Sequence, residues 1–335
     1  MQRIRGDEGM FLIHSTADQA PLLAAALVGA CRGDGWQTPL QSRLLRVLFH
    51  QLLGYEADFD QIAGLGPEAV AEGLSTQGQR LELVELMVTL EMLCDPISAA
   101  LEASIEHWAA VLGVQDRSLQ LARDLAAQAS AQALQDFYRY NWIGELDKLN
   151  PSFQGLLARH GEQAYALTVE ADPAEAARWR ALEQCPAGSI GRTLWEFYQE
   201  RGFGFPGEPV SGNAALAHHD WIHVLANFDT TPMGEMEVTA FQAAASTLPG
   251  ATLGFIGAVS IFQTGLLPSE LVPPGYSHCL EVPGGADRIA DAIKRGHACK
   301  RDVFLEIDFF GVADEPLTAL RERWSIPGKA SLGGS

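Results

Sequence analysis

The chain has 335 residues, 47% of them hydrophobic and 19% charged. That is length for about two domains and enough apolar content to exclude long disorder. Its 23 Lys and Arg against 42 Asp and Glu leave a formal charge of −19, spread over both halves, which excludes nucleic acid as a partner.

Five cysteines with no C-x-x-C pair signal neither a disulfide framework nor a structural zinc cluster, and a reducing, cytoplasmic setting fits them. Residues 10–13 form the apolar stretch nearest the start, too short for a signal-peptide core. No transmembrane helix is expected. From Gln19 to Tyr140 the apolar positions recur at helical spacing, as at Leu44, Leu45, Leu48 and Leu52, and again at Leu83, Leu86, Met87, Leu90 and Leu93. Turn signals at Gly33-Asp34-Gly35 and Asp95-Pro96 separate these runs. The pattern predicts an all-α domain over 15–140.

Residues 23–53 and 83–114 each read as helix, tight Asp turn, helix, the mark of an approximate internal duplication. This part resembles the TerB-like (tellurite resistance) helical domain, whose repeated turn places an Asp, often followed by Gly, seven residues before a Glu. The second turn keeps the pair as Asp95 and Glu102, with Pro96 in place of the Gly. The first has Asp34-Gly35, with Gln41 where the Glu would fall. Such an acidic pair can hold a cation or simply serve helix capping.

A boundary is expected near Asn141. Beyond it lie short helical pieces such as 174–183, then helices over 193–201, 214–226, 233–247, 251–267, 286–297 and 316–324. The run 251–267 is the longest apolar one and reads as a buried or cavity-lining helix rather than a membrane span. Residues 304–309 alone could pass for a strand. The expected architecture is therefore all-α, with two helical domains over 15–140 and 141–327 and a flexible tail over 328–335.

The chemistry gathers in residues 218–245. On a helix His219 and His223 share one face, with Asp220 about 60° beyond His223. Asn227, Asp229 and Pro232 end that helix, and a second begins with Glu235 in its first turn. His223 and Glu235 stand six residues either side of Asp229, so a hairpin centred there sets them level on facing helices. Two imidazoles and two carboxylates at one point suit Zn²⁺, Fe²⁺ or Mn²⁺ better than Ca²⁺ or Cu⁺. His218 and Glu237 point away, toward solvent or a supporting partner. Asp220 is either a ligand or a general base, in parallel with the Glu of H-E-x-x-H zincins. Asp220 and Glu235 are the candidate catalytic carboxylates.

The spacing His219-Asp220-x-x-His223-x11-Glu235 is similar to the metal motif of the Coq-four family of ubiquinone (coenzyme Q) biosynthesis proteins. The resemblance extends to Pro186-Ala-Gly188-Ser189-Ile-Gly191, to Asp172-Pro173, to Gly234 before the Glu, and to the closing Pro316-Leu317-x-x-Leu320-Arg321. It covers roughly 150–327. It implies a helical fold, a divalent metal, usually zinc, held by His219, Asp220, His223 and Glu235, and a long hydrophobic substrate. It further implies loss of the C1 carboxylate from a polyprenylated hydroxybenzoate-type ring. Implied partners are a prenylated aromatic or other isoprenoid lipid and other quinone-biosynthesis proteins.

Small residues over 240–245 and at Gly254, Gly257 and Ala258 either leave room for an isoprenoid tail or serve close helix packing. The basic run Arg288, Lys294, Arg295, His297, Lys300, Arg301 reads as a solvated helix face, able to meet anionic lipid in a local, peripheral contact. The backbone of 188–191 offers a helix N-terminus to an anion, unless Ser189 merely caps it. Two other functions fit the same residues: a metal-dependent hydrolase, and a non-catalytic prenyl-lipid scaffold for other enzymes.

Overall fold

The computed structural model describes residues 11–31, 38–128, 133, 151–160, 170–246, 251–269 and 278–329. The boundary near Asn141, the Asp34-Gly35 turn and the tail beyond Lys329 lie outside these. Among the described residues the protein is all-α, with no strand. A lone antiparallel bridge joins Ser189 to Pro316.

The N-terminal half is built on two helices that are buried nearly all round. α1 (Ala20–Cys31) is rich in alanine and leucine, and α4 (Gln77–Glu91) turns almost every side chain from Leu83 to Glu91 inward. Around them lie α2 (Pro39–Leu53), the short α3 (Pro67–Ala71), α5 (Ala99–Leu112) and α6 (Arg117–Ala126). Thr38 and Thr76 each open a helix with a reciprocal capping box, closed by Gln41 and Gln79. The two expected helix pairs are present as α1 with α2 and α4 with α5. In the second turn Asp95 is exposed, Ser98 caps α5, and Glu102 lies 3.9 Å from Arg123. Capping accounts for that turn, and no cluster able to hold a metal forms there among the described residues.

The C-terminal half comprises α7 (Pro151–His160), α8 (Pro173–Arg180), α9 (Ile190–Arg201), α10 (Asp220–Ala226), α11 (Pro232–Ala245), α12 (Ala251–Val259), α13 (Gly285–Ala298) and α14 (Leu317–Trp324). α11 and α13 pack most extensively. A Cβ on Gly296 would stand 2.6 Å from both Ala244 Cβ and Phe241 O, so at that crossing the small side chains serve close approach. The 251–267 run is not one helix: α12 passes into a π-helical turn over Ser260–Thr264. No described helix is long and apolar enough to cross a membrane.

Three sequence expectations are corrected here. Residues 304–309 are turns, because Asp302 Oδ1 accepts the backbone N–H groups of Phe304 and Leu305 and folds the segment back. The amides of Ile190 and Gly191 donate to Glu315 O and Ala313 O, while Ser189 caps α9 through Arg192 N, so no N–H group of that pair is left for an anion. The basic run is only partly a solvated face. Arg295 is buried and Arg288 is bound to carboxylates.

The halves meet through one continuous apolar core. Phe11 packs edge-on against Phe255 at 5.1 Å, Gln51 Nε2 donates to Asp287 Oδ1 at 2.9 Å, and α13 lies against α2.

Candidate metal centre

The site rests on a helical hairpin whose ends are tied down on every side. Asn213 Oδ1 accepts from the amides of Ala215 and Leu216 and starts a 3-10 turn, Leu216–His219, that runs into α10. His219 therefore precedes the α-helix instead of lying within it, a tighter winding than the 100° step assumed from sequence. α10 stops at Asn227, which adopts the left-handed conformation at φ 60°. Its last carbonyls are taken by two guanidinium groups. Arg321 donates to Val224 O at 3.0 Å and Leu225 O at 2.8 Å, and Arg295 to Ala226 O at 2.5 Å. Cations at that end also suit the helix dipole.

The turn into α11 is as closely fitted. Asp229 Oδ1 accepts from Thr231 N, Thr231 Oγ1 accepts from Gly234 N, and Pro232 fills the first helical position. A Cβ on Gly234 would stand 2.0 Å from Asp229 O, so only glycine lets the helix begin this close to the turn. The next residue is Glu235.

This hairpin brings His219, His223 and Glu235 together, with one donor atom from each inside a 4.8 Å span. Glu235 Oε2 lies 3.3 Å from His223 Nε2 and 3.5 Å from His219 Nε2. Those separations are long for hydrogen bonds. They match the edge of a tetrahedron, since bonds of about 2.0–2.1 Å set neighbouring donors about 3.3 Å apart. His219 Nδ1 donates to Leu216 O at 2.5 Å, which fixes the ring and points Nε2 at the centre. The donor set fits a divalent cation of the zinc type. His223 is buried, and its Nδ1 has no partner among the described residues. The side chains of His219 and Glu235 are 24% and 23% exposed, which leaves one open side.

Asp220, the fourth ligand that the family resemblance implies, stands beside this trio and is not part of the group. Its Oδ1 is 3.3 Å from His219 Nε2, and its Oδ2 accepts from the hydroxyl of Tyr198 on α9. Burial opposes a charged His219, but the carboxylates of Asp220 and Glu235 outweigh it and hold the imidazole up at about 9. Burial likewise opposes the Glu235 carboxylate, yet His223 and His219 hold its acid well below the usual range. The phenol of Tyr198 is pushed well up by burial and by Asp220, so it stays a donor. Each charge of the centre thus has an opposite neighbour.

Two residues set aside in the sequence are not solvent-facing. His218 is buried between Phe304 and Phe309, where its Nε2 meets Phe304 O at 2.8 Å and burial lowers its pKa to about 4. Glu237 is fully buried and bound by Arg288 and by Lys329, whose Nζ is 2.9 Å away. Arg288 also reaches Asp229 at 3.2 Å, tying α13 to the hairpin turn. Tyr198 went unnoticed in the sequence, while Arg295 and Arg321 were read only as part of the basic run and of the closing motif and not as caps of α10. Tyr198 carried a signal: it falls on the stripe Leu194, Phe197, Tyr198 of a buried face, where a phenol needs an acceptor.

No protein-family model and no curated protein sequence matches this chain. A similar solved structure is that of a Nostoc punctiforme protein named provisionally for ubiquinone biosynthesis. It is 16% identical, with 73% of this chain and 97% of that one covered, at a TM-score of 0.35.

Proposed function

We propose that this chain is a zinc-type metal protein of quinone biosynthesis that removes the C1 carboxyl group from a polyprenylated hydroxybenzoate-type substrate. The observation that supports this reading is the convergence of His219, His223 and Glu235, with Glu235 Oε2 3.5 Å and 3.3 Å from the two imidazole nitrogens, within the spacing motif that resembles the Coq-four family. His219, His223 and Glu235, with Asp220 beside them, would hold the metal. Once bound, it would supply a Lewis acid for a carboxylate or phenolate oxygen.

The chain's own residues do the rest. The carbon–carbon bond to the carboxyl group breaks, CO₂ leaves, and a proton takes its place at C1, so the atoms balance. Asp220, which accepts from the Tyr198 hydroxyl, is the carboxylate placed to pass that proton. Buried aromatic walls, Phe197 and Tyr198 on α9 among them, limit water at the centre. Close packing at Gly296 and Ala244 fills that crossing, so an isoprenoid tail would have to lie elsewhere.

Metal content of the purified protein, with His223→Ala and Glu235→Ala beside it, tests the centre. The expected result is about one zinc per wild-type chain and a marked loss in both variants. CO₂ release from a prenylated hydroxybenzoate then tests the reaction. Release that vanishes in Glu235→Ala supports it. A retained prenyl lipid without turnover points to a scaffold, and cleavage of a small ester or amide to a hydrolase.

A further inference from the structure

Asp220 divides its two oxygens between two neighbours. Oδ1 faces His219 Nε2 at 3.3 Å, the same separation that relates His223 Nε2 to Glu235 Oε2. Oδ2 accepts from Tyr198, which reaches it from another helix. The Tyr198 ring is itself held on all sides, stacked on Phe205 at 5.3 Å and 1° and packed by Trp179, Phe197 and Phe203. A buried hydroxyl that lost its acceptor would be left unsatisfied. The carboxylate therefore cannot turn without breaking that bond, and Oδ1 is the oxygen it turns to the His219 side of the centre.

We propose that Tyr198 is a positioning residue for the metal: it pins Oδ2 of Asp220 so that Oδ1 alone enters as a fourth, monodentate ligand. This rests on the metal reading of the His219, His223 and Glu235 group. A pinned carboxylate keeps the centre four-coordinate and leaves no second oxygen to occupy the open side. Partners that orient a ligand in this way typically contribute about 10–100-fold to metal affinity.

The test is a double-mutant cycle on zinc affinity, read by competition with chromophoric chelators of graded strength, with thermal unfolding of each variant as the folding control. Tyr198→Phe keeps the ring and removes only the hydroxyl. Its zinc affinity is expected to fall about tenfold. Asp220→Asn leaves three ligands, so its affinity stays measurable with a weaker chelator. In that background Tyr198→Phe should change nothing, because the hydroxyl acts only through the carboxylate. Equal affinity of wild type and Tyr198→Phe overturns the proposal. So does an equal loss in both backgrounds, which would mark a packing effect. Absence of zinc binding by the wild type overturns the metal reading itself and, with it, this proposal. That outcome is distinct from the other two.

Discussion

Gly234→Ala probes how tightly the hairpin turn sets the position of Glu235. The added methyl would stand 2.0 Å from the carbonyl oxygen of Asp229 and 2.3 Å from its Oδ1, where ordinary contact begins at 3.4 Å. The nearest atom is backbone, so either the turn or the first turn of α11 must shift by more than an ångström. Overpacking of that kind costs roughly 1–3 kcal/mol, or a fall in Tm of about 2–10 °C. Metal–ligand bonds tolerate about 0.2 Å, so a shift of this size takes Glu235 out of range of a cation held by His219 and His223. Zinc affinity should fall at least about tenfold. Differential scanning calorimetry and chelator competition on the same preparation measure both effects. An unchanged Tm with unchanged zinc affinity would refute the idea that close approach at Gly234 places the ligand.

Three further outcomes are expected. Burial, and after it the charges of Glu102 and Glu106, raises the pKa of Glu91 to about 8. The folded state then keeps a proton that the unfolded chain gives up near 4.5, and stability falls as pH rises through that window, by at most about 1.4 kcal/mol per unit. Glu91→Gln should gain on wild type at pH 8.5 and little at pH 5 in paired thermal melts; a constant difference would contradict the burial argument. Arg288→Met strips fully buried Glu237 of one of its two cations and should destabilise by roughly 3–5 kcal/mol in urea unfolding. Recovery of much of that loss by adding Glu237→Gln is expected. Ser189→Ala removes the cap of α9 and should lower stability by about 1 kcal/mol, and a neutral result would mean that the Glu315 and Ala313 carbonyls suffice.

The hairpin could be read from the chain because its determinants are local. His219, Asp220, His223 and Glu235 lie within seventeen residues, and Asn227, Asp229 and Pro232 mark the turn between them. Helical periodicity likewise placed α9, α11, α13 and α14 within three residues of their observed ends, but it began α10 six residues early, over the 3-10 turn, and ran α12 eight residues too far, through the π-helical turn. What escaped notice depends on groups far apart in sequence. Nothing near Glu237 says that Arg288 and Lys329 will meet it, so angular offset alone left solvent and a supporting partner both open. The aromatic run at 304–309 has strand composition, yet Asp302 bends it, and its Phe309 ring stacks on Trp221 at 5.3 Å. Tyr198 was overlooked because its acceptor sits on another helix.

The guanidinium caps on α10 have a consequence for how this protein is made. The helix that presents His223 ends in carbonyls claimed by Arg295 and Arg321, and Glu237 two residues past the last ligand is claimed by Lys329. On a ribosome the candidate ligands emerge roughly sixty to a hundred residues before the partners that square their scaffold. The hairpin is thus not a portable cassette: cut out or grafted, it would leave bare the carbonyls that end its first helix. A competent centre needs Arg295, Arg321 and Lys329 in place, so any loading with metal is expected to follow their emergence.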